Sequence, residues 1–256
     1  AALKHLLYTL GLGSADVVMS GMVGSRNGWR ETPYLPVDQP LSRLHDALME
    51  IETGIERVRC RIVPGYQYKD AQGTPDVMRG EETQVLGALE LSAASGWFLL
   101  PGTHSKWVRI DNGRMTEFYT FMTGELFSLM SQHGTLSKIM STQQQPVPAA
   151  FEAGLRAARH GSFTHTAFCC RALVVTDTMP AEHAPSYFSG LLIGAELQDI
   201  LQRTGGHLDA PLQVVGTTAL AAHYLSALEL FGMTARAWQS DSVYVAALGA
   251  LFDLKR

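Results

Sequence analysis

The chain has 256 residues, of which 46% are apolar and 17% charged, and its 20 basic and 24 acidic side chains give a formal charge of -4. That length exceeds the usual single domain and can bury one large core or two smaller ones without disulfide staples, and the composition excludes a disordered chain. The charge balance supplies no basic footprint for nucleic acid or an anionic membrane, so any anionic ligand must be met locally.

The chain opens on Ala1, without an initiator methionine and inside an apolar periodicity (Leu3, Leu6, Leu7, Leu10) that predicts a helix ending at Gly11 and Gly13; residues upstream are therefore expected. No basic-then-apolar leader precedes a small-residue cleavage site, and no apolar run reaches the ~18 residues of a membrane span. The three cysteines, Cys60 and the adjacent Cys169 and Cys170, lack metal-ligand spacing and fit a reduced, cytoplasmic compartment.

Asp16 to Met19 predicts a buried strand, followed by the glycine-punctuated turn from Gly21 to Ser25. Leu41, Leu44, Leu48 and Ile51 predict a helix over 41–51, and 56–63 a strand whose Val58, Cys60 and Ile62 face away from Arg57, Arg59 and Arg61. The polar stretch from Pro64 to Pro75 reads as a loop, and 81–91 as a helix carrying Glu81 and Glu82 in its first turn. Strand and helix alternate to this point, which is α/β logic with a mainly parallel sheet.

A second sheet begins near residue 96: a strand at 97–100, then a hairpin of 105–110 and 114–121 turning at Asp111-Asn112-Gly113. Helices follow at 123–131, 149–160, 163–173 and 184–203. The chain closes with strands at 211–215 and 234–238 and helices at 217–231 and 242–254. Two lobes, 1–95 and 96–256, with a cleft near residue 95, are the simplest architecture. Gln143 to Pro148 reads as a surface loop.

Several positions carry chemistry. Asp76, between a loop and a helix, suits a general base toward an alcohol, although this residue taken alone favours a helix cap. Gly102-Thr103-His104-Ser105-Lys106 turns directly out of an apolar strand, with a glycine for close amide approach, two hydroxyls and a cation, as an anion-gripping hairpin needs. The loop from Gly21 to Gly28, with Arg26 and Trp29, suits a pocket for a polyol or carboxylate. Gly216-Thr217 opens a helix after a strand and presents either free amides to phosphate or ribose, or a plain N-cap. No Walker-type or Rossmann glycine motif occurs, the nine histidines lack zinc spacing, and Gly190 with Gly194 predicts close helix packing. Hydrolysis by Ser105 with His104 as base is geometrically poor, because strand neighbours face opposite sides.

In order along the chain, Gly21 to Trp29 with Pro33-Tyr34, Asp76 to Gln84, Pro101 to Val108, Met122 to Leu126, Ser189 to Leu197 and the run from Gly216 onward resemble the 2-dehydro-3-deoxygalactonokinase family. These are sugar-acid kinases of the actin and hexokinase-like superfamily, with a two-lobed α/β fold of mixed sheets flanked by helices around a central cleft. The resemblance implies transfer of the ATP γ-phosphoryl group to the 6-hydroxyl of 2-dehydro-3-deoxygalactonate, in galactonate breakdown. It implies Asp76 as the catalytic base, Gly102, Thr103, His104, Ser105, Lys106, Gly216 and Thr217 on the phosphate and ATP side, and Gly24, Ser25, Arg26, Trp29, Arg79 and Glu82 on the substrate side. Arg26 or Arg79 would pair with the substrate carboxylate. Mg2+ would arrive on ATP, with no metal site built by the protein.

The partners so implied are a small sugar acid and ATP, neither nucleic acid nor membrane, with a homodimer as the candidate assembly. The family's first phosphate loop, an Asp-x-Gly hairpin, does not precede Ala1. The 256 residues taken as a whole molecule are therefore expected to show little turnover beside a chain extended upstream, with an exposed sheet edge. A catalytically silent sugar-acid binder is the competing expectation, separated from a kinase by calorimetry with and without ATP.

Overall fold

The structure, a computed structural model, describes residues 2–91, 95–140 and 145–252. Part of the loop expected at 143–148, residues 143 and 144, lies outside them. The strands are β1 (Ala15–Met19), β2 (Tyr34–Pro36), β3 (Met49–Ile51), β4 (Val58–Ile62), β5 (Gly65–Lys69), β6 (Pro75–Met78), β7 (Gly96–Leu100), β8 (Ser105–Asp111), β9 (Arg114–Phe121), β10 (Leu212–Gly216) and β11 (Ala235–Gln239). The α-helices are α1 (Ala2–Thr9), α2 (Glu81–Leu91), α3 (Thr123–Gln132), α4 (Gly134–Ser137), α5 (Pro148–Ala157), α6 (Phe163–Val175), α7 (Ala184–Arg203), α8 (Thr218–Leu230) and α9 (Ser240–Leu251).

The chain forms two compact units, one of residues 1–96, 108–119 and 238–256, the other of residues 97–107 and 120–237. The hairpin segment and α9, which the sequence assigns to the later lobe, thus group with the first unit. There α9 packs on α2, and Gly87 makes this possible, since a Cβ at that position would collide with the Val243 carbonyl.

The first unit holds two three-stranded sheets, in orders β1-β4-β3 and β2-β5-β6. Each pairs one parallel neighbour with one antiparallel neighbour: β1 and β2 run parallel to β4 and β5, while β3 and β6 run antiparallel to them. The expected mainly parallel sheet is thus two mixed ones. Cys60 and Ile62 are fully buried while Arg59 pairs with Glu50 at 3.2 Å and Arg61 with Asp16 at 2.7 Å, as the alternation predicts.

Two expectations are corrected here. Residues 41–51 do not form one helix; Leu41–Ala47 is a 3-10 turn and Met49–Ile51 a strand against β4. The apolar steps from 41 to 44 and from 48 to 51 are each three residues, which a 3-10 turn of three residues per turn satisfies as well as an α-helix does. The segment 64–75 is not all loop, because Tyr66 is buried, Gln67 exposed and Tyr68 half-buried, the period of a strand, and β5 pairs with β6 so that Tyr68 lies opposite Asp76. Pro75 is tolerated as the first residue of its strand.

The third sheet has the order β11-β10-β7-β8-β9, with β7 and β10 parallel. The β8–β9 hairpin turns on Asn112 (φ 48°) and Gly113 (φ 75°), the pair of positive φ values that a two-residue type I′ turn demands.

In the second unit α5 and α7 cross at backbone contact. A Cβ at Gly154 would collide with the Tyr187 carbonyl, one at Gly190 with the Phe151 carbonyl, and one at Gly194 would press on Ala158. Gly190 and Gly194 mark close packing, as the sequence predicts, and Gly154 joins them. Among the described residues no helix is long and apolar enough to cross a membrane. Gly190→Ala forces the two helices apart and is expected to destabilise by about 2–3 kcal/mol, read as a fall in thermal midpoint; a midpoint within a degree of wild type would show that the crossing is slack.

Candidate active site

Each unit contains a buried glutamate with several hydrogen-bond partners. In the second unit the apolar stretch of α7 carries one acid inward, Glu196, which is 2% exposed. Its Oε1 accepts from Trp107 Nε1 at 2.8 Å and its Oε2 from the Tyr224 hydroxyl at 2.8 Å and from Thr123 Oγ1. Ser105 Oγ and the Tyr224 hydroxyl share a further bond of 2.8 Å. One carboxylate thereby ties together β8, the start of α3 and α8. Burial raises its pKa, and the bonds from Thr123, Trp107, Tyr224 and Ser105 oppose that rise by favouring the ionised form.

Above this network lies a cavity of about 450 Å³. Phe127, Phe151, Leu192 and Ile193 give it apolar walls; Ser189, His223 and Tyr224 supply polar groups; and Gly102 and Gly124 reach its lining. The hairpin is fixed against α3, for Glu125 N–H donates to the Thr103 carbonyl at 2.9 Å and His104 Nε2 meets Glu125 Oε2 at 2.5 Å. Gly124 has to be glycine, because a Cβ there would collide with the Gly102 carbonyl.

Of the expected anion-binding side chains, Thr103 and His104 are exposed, whereas Ser105 and Lys106 are buried. Ser105 is committed to Tyr224, so its hydroxyl serves the core. Gly216 is buried and Thr217 is exposed. Thr217 accepts from Leu220 N–H at 3.5 Å and therefore behaves as the N-cap of α8. His104 and Ser105 bond to different partners and form no dyad.

In the first unit the loop after β1 and the head of α2 converge. Gly24 is buried, and a Cβ there would crowd Thr32, Ile62 and Arg79. Arg79 donates through Nη1 to Thr32 Oγ1 and through Nη2 to the Thr32 carbonyl at 2.9 Å, and its guanidinium lies 4.3 Å from the centre of the Tyr34 ring. Its terminal nitrogens thus brace the loop. Ser25 Oγ and Arg79 Nε are buried without a hydrogen-bond partner, while Arg26 and Trp29 are exposed. An orphaned hydroxyl beside a braced, aromatic-edged loop is a place where a ligand group gains a bond the protein leaves open.

Glu82 is fully buried, its Oε2 accepting from Gly80 N–H at 2.6 Å and its Oε1 from Ser20 Oγ at 3.3 Å and Thr83 Oγ1 at 3.2 Å. Burial, with a smaller push from the Glu81 charge, drives its carboxyl up to about 7 against the pull of its hydrogen bonds. Asp76 is elsewhere. It is half-buried within β6, not between loop and helix, and accepts from its neighbour Val77 N–H at 2.7 Å. Reading it as a helix cap is therefore corrected: the short extended run Pro75–Met78 pairs with β5 before the helix begins.

The sequence reading did not single out Ser20, Thr123, Glu196 or Tyr224. Glu196 left a signal, a lone acid amid Leu191, Leu192, Ile193 and Leu197; the others became visible only through their partners.

A model of the 2-keto-3-deoxy-galactonokinase family matches residues 1–251. The 2-dehydro-3-deoxygalactonokinase of Escherichia coli (strain K12) is 36% identical over 236 residues, 92% of this chain and 77% of that protein. A protein of Rhizobium meliloti (strain 1021) named as probable 2-dehydro-3-deoxygalactonokinase is 35% identical over 254 residues, 96% and 80% of the two chains. A crystal structure from Sinorhizobium meliloti, assigned as a 2-dehydro-3-deoxygalactonokinase, superposes with a TM-score of 0.90 at 34% identity, covering 99% of this chain and 85% of that one. The protein is thus a carbohydrate kinase with the mixed α/β fold of the actin and hexokinase-like class. It belongs to the 2-keto-3-deoxy-galactonokinase family.

The raised carboxyl of Glu82 makes stability depend on pH. Its folded value of about 7 lies above the ordinary 4.5, so its contribution is fully present below pH 4.5 and is lost as pH rises through 7. Glu82→Gln removes that loss. Its stability relative to wild type is expected to rise by up to about 3 kcal/mol between roughly pH 5 and pH 8 in denaturant titrations, and a difference independent of pH would mean that the carboxyl titrates normally.

Proposed function

We propose that the chain transfers the γ-phosphoryl group of MgATP to the 6-hydroxyl of 2-dehydro-3-deoxy-D-galactonate, in the cytoplasm, as a step of galactonate breakdown. The observation that carries this reading is the cavity of about 450 Å³ in the second unit. Its size is that of a small-molecule site, its aromatic and aliphatic walls suit the faces of a purine, and its few polar groups suit the ring edge and ribose. Gly102 at its margin puts the hairpin amides on the phosphate side of a nucleotide seated there.

The sugar acid belongs to the loop 21–29 with Arg79 and Glu82. Arg26 is the better partner for the substrate carboxylate, because it is exposed while the terminal nitrogens of Arg79 are taken by Thr32. The division of labour follows the lobes expected at 1–95 and 96–256. Two carboxyls, Asp76 and Glu82, are candidates to receive the hydroxyl proton. Mg2+ would arrive water-ligated on ATP. A homodimer is the expected assembly, which light scattering measures.

A coupled assay for ADP release, run on this chain and on one extended upstream, is expected to require both ATP and the sugar acid, with 31P NMR of the product giving a 6-phosphate. Sugar-acid binding without turnover in either chain would identify a silent binder, and phosphate on another carbon would overturn the assigned position. Ser189→Phe, which fills the cavity with a phenyl ring, is expected to raise KM for ATP about tenfold or more and to leave the calorimetric affinity for the sugar acid unchanged. An unaltered KM would remove the nucleotide from this cavity.

A further inference from the structure

The kinase reaction releases a proton from the sugar hydroxyl as the new phosphorus–oxygen bond forms, and some group must hold it. Within the first unit the geometry favours one route. Ser20 stands at the C-terminal end of β1, the end of a parallel strand at which α/β sheets bind ligands, immediately before the loop 21–29. It is only partly buried. Its hydroxyl is 2.6 Å from Thr83 Oγ1 and 3.3 Å from Glu82 Oε1, and Thr83 Oγ1 is 3.2 Å from that same oxygen. Gly80, at φ 111°, lies so close to Gly21 that a Cβ would sit 3.1 Å from the Gly21 Cα, which holds the two loops together at this point. A partly buried serine is therefore linked by hydrogen bonds to a fully buried carboxylate.

We propose that Ser20 and Glu82 form a proton relay for phosphoryl transfer, with Ser20 touching the reacting hydroxyl and the buried Glu82 carboxylate receiving the proton. The proposal rests on the kinase reading. In the step the sugar oxygen bonds to the γ-phosphorus, the bond from that phosphorus to the β–γ bridging oxygen breaks, and ADP leaves with the electron pair. The hydroxyl proton moves to Ser20 Oγ while the Ser20 proton moves to Glu82, directly or through Thr83. Ser20 is the catalytic residue and Glu82 acts through it.

The groups facing Glu82 keep it poised. Glu81 on α2 is acidic, and Tyr66 on β5 and Tyr244 on α9 feel its charge, which raises their own pKa values behind the larger effect of burial. None of these is a cation that would fix Glu82 as a permanent carboxylate. For a purely structural bond acceptor at the head of α2, a neutral amide would be the less costly choice. A carboxyl placed to change its protonation near neutral pH suits a proton acceptor.

The test is the pH profile of kcat/KM for MgATP-dependent phosphorylation of the sugar acid, in the wild type and in Ser20→Ala, Ser20→Thr, Glu82→Gln and Asp76→Asn, each checked by thermal melting. The wild type is expected to lose activity on the acid side near pH 7, where Glu82 becomes protonated. Ser20→Ala is expected to lower kcat about a hundredfold with little change in KM for the sugar acid, and Ser20→Thr to restore much of it. Glu82→Gln is expected to abolish the acid limb, and Asp76→Asn to keep it. An acid limb that survives in Glu82→Gln, or that disappears in Asp76→Asn, overturns the relay while the kinase stands. If Glu82→Gln does not fold, the Ser20 pair decides, and full kcat in Ser20→Ala overturns the proposal. Absence of turnover by the wild type, in this chain and in the extended one, overturns the kinase reading and the relay with it.

Discussion

The interaction on which the second unit depends is the set of hydrogen bonds around Glu196. A carboxylate buried in an apolar helix is costly unless its lone pairs are met, and here an indole N–H and two hydroxyls meet them. The donors come from β8, α3 and α8, so satisfying one acid fixes the relative positions of three elements. Two of those elements carry Gly124 and the face of α8 that line the cavity. Ser105, which belongs by sequence to an anion-binding hairpin, is drawn into this network through Tyr224 and becomes part of its foundation.

Glu82 shows the opposite use of a buried acid. Its partners are a backbone amide and two hydroxyls, and burial outweighs their pull, so its pKa moves toward neutrality. Glu196 is enclosed by donors that belong to the core. The two acids differ in what they join: Glu196 bonds to side chains of three packed elements, whereas Glu82 bonds at the head of its own helix and to the partly buried Ser20.

Glycine does comparable work where backbones touch. At Gly154 and Gly190 the α5–α7 crossing excludes a side chain, and at Gly124 the start of α3 closes on the Gly102 carbonyl. Close crossing brings Phe151 and Ile193 to the same cavity wall. The volume of the cavity is therefore set by side chains that are missing at the crossing as much as by those lining the space.

Much of the fold was legible in the sequence because local patterns were unambiguous. The helices at 81–91 and 184–203, the Asn112-Gly113 hairpin and the inward face of Val58, Cys60 and Ile62 each follow from periodicity or turn chemistry that no distant residue has to supply. Short strands were not legible. β2, β3, β5 and β6 are three to five residues long and owe their extended form to the partner strand, and three-residue apolar steps at 41–51 fit two kinds of helix equally well. The same distinction divides the candidate site. Residue types and their order marked the segments 21–29, 76–84 and 102–106 as candidates for chemistry and pointed to the family. Which acid lies buried, which serine is buried and which hydroxyl is already bonded depend on contacts between residues as far apart as Ser20 and Thr83, or Ser105 and Tyr224. Burial and hydrogen-bond partnership are properties of those contacts, so only the tertiary structure decided them.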